Sequence, residues 1–202
     1  MKQQVLVIHG GDTFGSDKEY LEFLRNHDIN FAKMTRAGWK ENLRSDLGED
    51  FEVILPQMPN KVNARYEEWK IMFEKLIPFL RDGLILVGHS MGGTFIAKYL
   101  AENKFPHQIK ATFLIAAPFG NNEPEYSLYT FSLPTDLKDL GEQAGQIFIY
   151  HSSDDPLVPT RDADAYIQAL PHADKKILTD RGHFNQERLP ELVEEIKRLA
   201  AN

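Results

Sequence analysis

Ser90 is the residue whose surroundings most clearly indicate chemistry in this sequence. It lies in a glycine-rich segment that reads Gly88-His89-Ser90-Met91-Gly92-Gly93. An apolar run precedes the segment and a helical pattern follows it, so the motif G-x-S-x-G occupies a tight turn between a predicted strand and a predicted helix. Such a turn strains the serine backbone and exposes its hydroxyl, while the glycines leave room for the close strand–helix approach. Ser90 is therefore a candidate nucleophile; the alternative is an ordinary glycine-rich turn.

A serine hydroxyl is a weak nucleophile at neutral pH and needs a base beside it. For a nucleophile on this kind of turn, the acid follows the serine in the chain and the histidine follows the acid. His183 comes directly after the last predicted strand and is the candidate base. Two adjacent carboxylates, Asp154 and Asp155, follow the strand before that one. Because neighbouring residues at a strand end point in opposite directions, only one of them can face His183.

The residues after the first predicted strand could stabilise a developing oxyanion. The strand ends in His9-Gly10-Gly11-Asp12. In this arrangement the oxyanion hole combines the N–H group after the nucleophile with one from the loop after an early strand. The sequence therefore predicts the N–H groups of Met91 and Gly11, with that of Asp12 as the alternative to Gly11. A plain turn between strand and helix is the competing interpretation, and His9 is expected to orient this loop by a hydrogen bond.

Other side chains near the predicted strand ends have weaker signals. His89 cannot act as a base on the hydroxyl of its own neighbour, so we interpret it as structural. His151 lies near the acid but is expected to make no contact with the site. Four aromatic residues could line a substrate pocket, namely Phe14, Trp39, Phe119 and Phe184.

Apolar runs separated by helical patterns position these residues. The runs are nearly continuous rather than alternating, which is typical of strands covered on both faces; they span residues 5–8, 51–55, 84–87, 111–116, 146–150 and 175–178. Amphipathic stripes between them predict helices, including one over 66–80 and one near the C-terminus. Alternation along the whole chain predicts one α/β domain over 1–202, doubly wound, with a mainly parallel sheet of about six strands and helices on both faces. Residues 119–145 are expected to form a loop or small excursion.

These motifs together resemble the α/β-hydrolase family, in particular the small capless serine hydrolases similar to retinoblastoma-binding protein 9. The resemblance covers almost the whole chain and includes His9-Gly10, the G-x-S-x-G segment, the pattern Asp155-x-x-Val158-Pro159 and Gly182-His183-Phe184. It implies Ser90 as nucleophile, Asp155 as orienting acid and His183 as general base, and it leaves Asp154 as a turn-forming carboxylate. The name-giving retinoblastoma-binding motif contains cysteine, which this chain lacks, so that partner is not implied. Residues 119–145 match no feature of the family.

Composition excludes several classes of function. The 202 residues include no cysteine, so thiol nucleophiles, disulfides and zinc–thiolate sites are absent. A net charge of −7 argues against nucleic acid as a partner. No apolar run approaches the length of a membrane span, and the N-terminus lacks the pattern of a signal peptide. We therefore expect a cytoplasmic enzyme, monomeric or homodimeric, that acts on a small-molecule acyl substrate and uses no cofactor.

Three hypotheses follow from these residues. The leading one is a metal-free serine hydrolase that cleaves an ester or related acyl bond through an acyl-enzyme. The second is a binding or scaffolding protein of the same fold whose catalytic groups are vestigial. The third is a metal-dependent hydrolase that uses His9, Asp12, His183 and one of the two adjacent aspartates. Under this hypothesis, the position of Ser90 in a G-x-S-x-G turn would be a coincidence. We expect no metal site.

Overall fold

The computed structural model describes residues 1–29, 31–120 and 126–201. Within these ranges six strands form one sheet: β1 (Gln3–Ile8), β2 (Phe51–Ile54), β3 (Leu84–His89), β4 (Ile109–Ile115), β5 (Gln146–Ser152) and β6 (Asp174–Leu178). Their spatial order is β2-β1-β3-β4-β5-β6, and every neighbouring pair is parallel. The predicted doubly wound α/β architecture is confirmed.

The chain changes direction across the sheet between β1 and β3. From β1 it moves outward to β2 and then returns to β3 on the other side of β1, so the ends of β1 and β3 flank a switch point. Ile8 pairs with Gly88 at this point. In parallel α/β sheets, ligands bind outside the carboxyl ends of the strands at such a place. The segments that begin with His9 and Ser90 both leave the sheet there.

Alternating side chains of the strands enter two separate cores. Leu6 and Ile8 of β1 pack into one core, while Val5 and Val7 pack into the other. This alternation is what a strand covered on both faces requires. The edge strand β6 differs from the prediction of full burial, because most of its side chains are exposed. Charged side chains on an exposed edge discourage pairing with another chain.

Helices cover both faces of the sheet. Those in the described ranges are α1 (Asp17–Asn26), α2 (Phe31–Met34), α3 (Trp39–Leu47), α4 (Tyr66–Leu76), α5 (Met91–Glu102), α6 (Lys138–Gln143), α7 (Thr160–Ala169) and α8 (Pro190–Ala200). Helices α3 and α8 pack on one core, and α4 to α7 pack on the other. Within those ranges, no helix has the length and apolar character that a bilayer crossing requires.

Two segments differ from the sequence-based expectation. The stripe predicted as one helix over 66–80 ends as an α-helix at Leu76 and continues as the 3-10 turn Ile77–Phe79. Pro78 explains the change, because proline lacks the N–H that an α-helix needs and its ring clashes with the preceding turn. Residues 119–145, expected as a loop or small excursion, contain the 3-10 turn Tyr129–Phe131 and α6. Positions 121–125 of that expectation lie outside the described residues.

Candidate active site

Ser90 stands on a strained turn between β3 and α5. Its backbone has φ 55° and ψ −128°, in the left-handed half of conformational space that L-residues rarely occupy. The N–H group of Ser90 donates to the carbonyl oxygen of Ile115 at 2.8 Å, which ties the turn to the end of β4. The hydroxyl therefore projects from the sheet edge at a position that the surrounding backbone fixes.

Glycines make this turn sterically feasible. A Cβ atom on Gly88 would lie 2.5 Å from the Cα atom of Gly93 and 2.6 Å from the carbonyl oxygen of Gly92. A Cβ atom on Gly92 would overlap the carbonyl oxygens of Ile8 and His9. Both glycines of the motif are therefore required by close backbone approach, as the motif predicts.

The imidazole of His183 bridges a hydroxyl and a carboxylate. Its Nε2 atom lies 2.9 Å from Oγ of Ser90, and its Nδ1 atom lies 2.9 Å from Oδ2 of Asp155. The side chain of Asp155 is fully buried, and that of His183 is 9% exposed. Because the carboxylate accepts the Nδ1 proton, Nε2 presents its lone pair to the Ser90 hydroxyl. The arrangement can remove a proton from that hydroxyl.

Backbone donors hold Asp155 in this position. Its Oδ1 atom accepts hydrogen bonds from the N–H groups of Leu157 at 2.8 Å and Val158 at 3.1 Å. These bonds leave Oδ2 directed at His183. A carboxylate buried without such donors would be costly, so the turn after Asp155 is part of the site.

Asp154 has a different role from its neighbour. Its Oδ1 atom accepts hydrogen bonds from the Ser152 hydroxyl and, at 3.0 Å, from the N–H group of Gly182. These donors lower the pKa of the Asp154 carboxyl, with the Ser152 contribution the largest. Asp154 therefore joins the end of β5 to the loop that carries His183, and it does not face the imidazole.

The predicted oxyanion donors lie beside Ser90. A Cβ atom on Gly10 would lie 3.0 Å from Cβ of Ser90, so the loop after β1 passes directly against the serine. The N–H group of Asp12, the alternative donor, is already bonded to the carbonyl oxygen of Lys61 at 2.8 Å. Among the described residues, the N–H groups of Gly11 and Met91 have no hydrogen-bond acceptor. The helix α5 also directs its positive N-terminus at this place.

His9 orients the same loop through both ring nitrogens. Nδ1 donates to the carbonyl oxygen of Gly10 at 2.7 Å, and Nε2 accepts from the N–H group of Met58 at 2.9 Å. Burial lowers the pKa of His9, with Lys61 and Lys40 adding to the effect, so the ring is neutral. Both nitrogens are thus engaged, which leaves His9 no lone pair for a metal ion. In the part of the chain that the structure describes, no group of three or more metal-ligating side chains converges.

Two clefts meet at the serine and differ in character. One, of about 800 Å³, is polar and contains Arg36, Lys40 and Lys61. The other, of about 530 Å³, is largely apolar and is lined by residues that include Phe14, Phe23, Met91, Leu128, Tyr129 and Val158. Gly11, Asp12, Ser90, Leu157 and His183 line both clefts. A substrate with a polar half and an apolar half could therefore place its reacting bond at Ser90.

One of the four predicted pocket aromatics lines a cleft, and the other three require correction. Phe14 lies on the apolar cleft, where its ring contacts Phe23 at 5.0 Å between centroids. Trp39 and Phe184 are buried in the core that α3 and α8 cover. The Trp39 indole donates a hydrogen bond to the Phe184 carbonyl oxygen at 2.7 Å. Phe119 packs edge-on against Tyr166, with 4.9 Å between ring centroids, and lines neither of these two clefts.

Sequence reasoning missed several residues at the site. Lys40 and Lys61 line the polar cleft, and Tyr126 and Tyr129 line the apolar one. The two tyrosines belong to the segment expected as a loop or small excursion. No local motif marks any of these residues, because their helices and loops reach the site only through tertiary packing.

The arrangement of strands and helices is also found in solved structures of other proteins. The ydeN gene product of B. subtilis has the same fold, with a TM-score of 0.74, 19% sequence identity and 100% of both chains covered. 2-Hydroxy-6-oxo-6-phenylhexa-2,4-dienoate hydrolase from Rhodococcus sp. strain RHA1 matches with a TM-score of 0.69 and 14% identity, covering 100% of this chain and 91% of that chain. The fold is that of the α/β hydrolases.

Sequence comparison then identifies the family. The profile of the Serine hydrolase family matches residues 31–199, a range that includes Ser90, Asp155 and His183. Serine hydrolase RBBP9 of Rattus norvegicus is 29% identical over 175 residues, which cover 80% of this chain and 86% of that protein. The chain belongs to the serine hydrolase family, and the resemblance inferred from its motifs is confirmed.

Proposed function

We propose that this serine hydrolase cleaves ester or closely related acyl bonds through Ser90, Asp155 and His183. The observation that carries the proposal is the pair of 2.9 Å contacts that the His183 ring makes, one to the Ser90 hydroxyl and one to the Asp155 carboxylate. A hydroxyl, a base and an orienting acid in this contact are the groups that acyl transfer from a serine requires.

The first half of the reaction acylates the serine. Oγ of Ser90 attacks the carbonyl carbon of the substrate while its proton moves to Nε2 of His183. The N–H groups of Gly11 and Met91 bind the resulting oxyanion, and such a donor is typically worth about 3 kcal/mol of transition-state stabilisation. The tetrahedral intermediate then breaks its bond to the leaving group, which takes the proton from His183.

The second half returns the enzyme to its starting state. Water attacks the acyl carbon and gives a proton to Nε2 of His183, again with the oxyanion held by Gly11 and Met91. The bond between the acyl carbon and Oγ breaks, Oγ recovers the proton and the carboxylic acid leaves. Throughout the cycle, Asp155 keeps the imidazole in the tautomer whose Nε2 lone pair faces the serine, and it stabilises the imidazolium.

Steady-state hydrolysis of para-nitrophenyl butyrate tests the proposal. Ser90→Ala removes the nucleophile and should lower kcat at least about a thousandfold. Ser153→Ala is the matched control, since Ser153 is an exposed serine on the loop after β5. Equal activity of Ser90→Ala and Ser153→Ala would refute the assignment. A wild-type protein that hydrolyses no member of an ester, thioester and amide series would favour a binding module instead.

A further inference from the structure

The polar cleft beside Ser90 contains a cation that the reaction above does not use. Lys40 is the second residue of α3, and its ammonium lies over the face of Trp39, 4.6 Å from the ring centroid. Among the described residues it has no ion pair or hydrogen bond. A half-buried ammonium with only an aromatic face beside it retains most of its capacity to bind an anion.

The position of Lys40 is fixed by the helix that carries it. The indole N–H group of Trp39 donates to the carbonyl oxygen of Phe184 at 2.7 Å. The backbone N–H group of Trp39 donates to the carbonyl oxygen of Gln186 at 3.0 Å. Both acceptors belong to the loop that also carries His183. The first turn of α3 is therefore held against the loop of the candidate base, which keeps the backbone of Lys40 beside the cleft.

The other charged side chains of the cleft are more exposed than Lys40. They are Asp12, Arg36, Glu41, Lys61 and Glu187. The Glu41 carboxylate accepts a hydrogen bond from the N–H group of Gly38 at 2.8 Å, so its negative charge lies at the N-terminus of α3. Desolvation raises the pKa of Asp12, against the opposing effect of His27 and His183. Lys40 is thus the least exposed charge among these side chains, and the more exposed ones carry charges of both signs.

The Lys40 charge influences the pKa values of two histidines near the cleft. It contributes to the lowered pKa values of both His9 and His89, after the larger effect of burial. Burial also lowers the pKa of Lys40 itself to about 8, with Glu41 opposing the shift and Lys61 adding to it. The opposite charge of an anionic ligand at this place would compensate for the desolvation of the ammonium.

We propose that the polar cleft is a carboxylate-binding subsite, in which Lys40 pairs with a carboxylate on the polar half of the acyl substrate. The apolar half of the same substrate then occupies the cleft lined by Phe14 and Met91. A carboxylate carries one charge and matches one inner cation, whereas a phosphate dianion would need further donors. The inference rests on the proposed function, because it concerns substrate for the same serine.

Matched esters measure the contribution of this subsite. One pair is para-nitrophenyl hydrogen adipate and its methyl ester, with the charge on the acyl side. The other pair is the butyrate esters of meta-hydroxybenzoate and of methyl meta-hydroxybenzoate, with the charge on the leaving-group side. The quantity of interest is the ratio of kcat/KM for the anionic ester to kcat/KM for its neutral partner, which cancels effects common to both.

Lys40→Met should lower that ratio about tenfold in one of the two pairs, since a hydrogen bond to a charged group is commonly worth about one order of magnitude. Lys40→Arg should keep the ratio near the wild-type value. Lys104→Met is the matched control, because Lys104 is an exposed lysine beyond the far end of α5. A ratio that falls less than about threefold in both pairs would overturn the inference.

A wild-type measurement covers the case in which Lys40→Met fails to fold. The ratio for the favoured pair should fall as the pH rises through about 8, because deprotonation of Lys40 removes its charge while the carboxylate stays ionised. A ratio independent of pH between 6.5 and 9.5 would contradict the subsite. Labelling of Ser90 by a fluorophosphonate separates the two proposals. If the wild-type protein labels normally but shows neither effect, the carboxylate subsite is refuted and the proposed function is not.

Discussion

His89 Nε2 donates a hydrogen bond of 2.9 Å to the backbone carbonyl oxygen of His183. The residue directly before the candidate nucleophile thus holds the main chain of the candidate base. Burial lowers the pKa of His89 well below its ordinary value, and the nearby Lys40 charge lowers it further. The ring is therefore neutral. Two histidines 94 positions apart in sequence are joined in a way that fixes the distance between Ser90 and His183.

Loss of the His89 donor should weaken catalysis through the position of His183. We expect His89→Ala to lower kcat about tenfold to a hundredfold with little change in KM, because a displacement of about 1 Å at a base is costly. His89→Gln, which retains an N–H donor, should recover part of the rate. His172→Ala controls for removal of a ring at an exposed position. Unchanged kcat in His89→Ala would show that His183 is held by other contacts.

The two adjacent aspartates should respond differently to the same substitution. Asp155→Asn replaces the carboxylate that orients His183 and should lower kcat about 10³-fold to 10⁴-fold. Asp154→Asn should change kcat less than about tenfold, because Asp154 bonds Ser152 and Gly182 rather than the imidazole. Ester hydrolysis by both purified variants decides between them. Equal losses would mean that both carboxylates support the base.

The close backbone approach at Gly92 should make the stability of the protein sensitive to substitution at this position. Gly92→Ala places a methyl group against the carbonyl oxygens of Ile8 and His9. Overpacking of this kind costs about 1–3 kcal/mol of the free energy of unfolding, measured by urea denaturation. Gly120→Ala is the control, because a Cβ atom there meets no atom of the described residues within 4 Å. A Gly92→Ala protein as stable as Gly120→Ala would show that the turn yields easily.

His151 should make the protein less stable in acid. Its side chain is fully buried, and among the described residues both ring nitrogens lack a hydrogen-bond partner. Burial lowers its pKa from 6.5 to about 4. Between these values the unfolded chain binds a proton that the folded chain does not, so the free energy of unfolding falls as the pH falls, by about 3 kcal/mol in total from this group.

Substitution of His151 by an apolar residue isolates this effect. The free energy of unfolding of His151→Leu and of His151→Phe should decline less steeply from pH 7 to pH 4 than that of the wild type, because neither variant titrates at this position. Denaturation in guanidinium chloride at a series of pH values gives the curves. Wild-type and variant curves that stay parallel would contradict a depressed pKa for His151.

The sequence predicted those parts of the site that local patterns determine. The setting of Ser90 depends on neighbouring glycines and on the strand and helix around it, all of which are visible in the chain. Strand order predicts that His183 and the adjacent pair Asp154 and Asp155 lie at one edge, because parallel strands bring their carboxyl ends together. The choice of Asp155 within that pair depended on the pattern Asp155-x-x-Val158-Pro159. The glycine spacing also predicted the steric requirement that the structure shows at Gly88 and Gly92.

Pocket residues were harder to predict because they depend on which face a helix presents. Trp39 stands near a strand end, which suggested the pocket. However, Trp39, Leu43 and Leu47 recur every four residues along α3 and all lie in the core. That periodicity was available in the sequence and indicates burial. Lys40 follows Trp39 on the helix and reaches the cleft only because α3 packs on the loop of His183, which no local pattern reveals.

Peptide mass spectrometry of the fluorophosphonate-treated protein tests the central claim most directly. The adduct should be found on the Oγ atom of Ser90 alone, and its rate of formation should fall at least about a hundredfold in His183→Ala, since the base that activates the hydroxyl is then missing. An adduct on another residue, or labelling of Ser90 at an undiminished rate in His183→Ala, would contradict an activated serine at the end of β3.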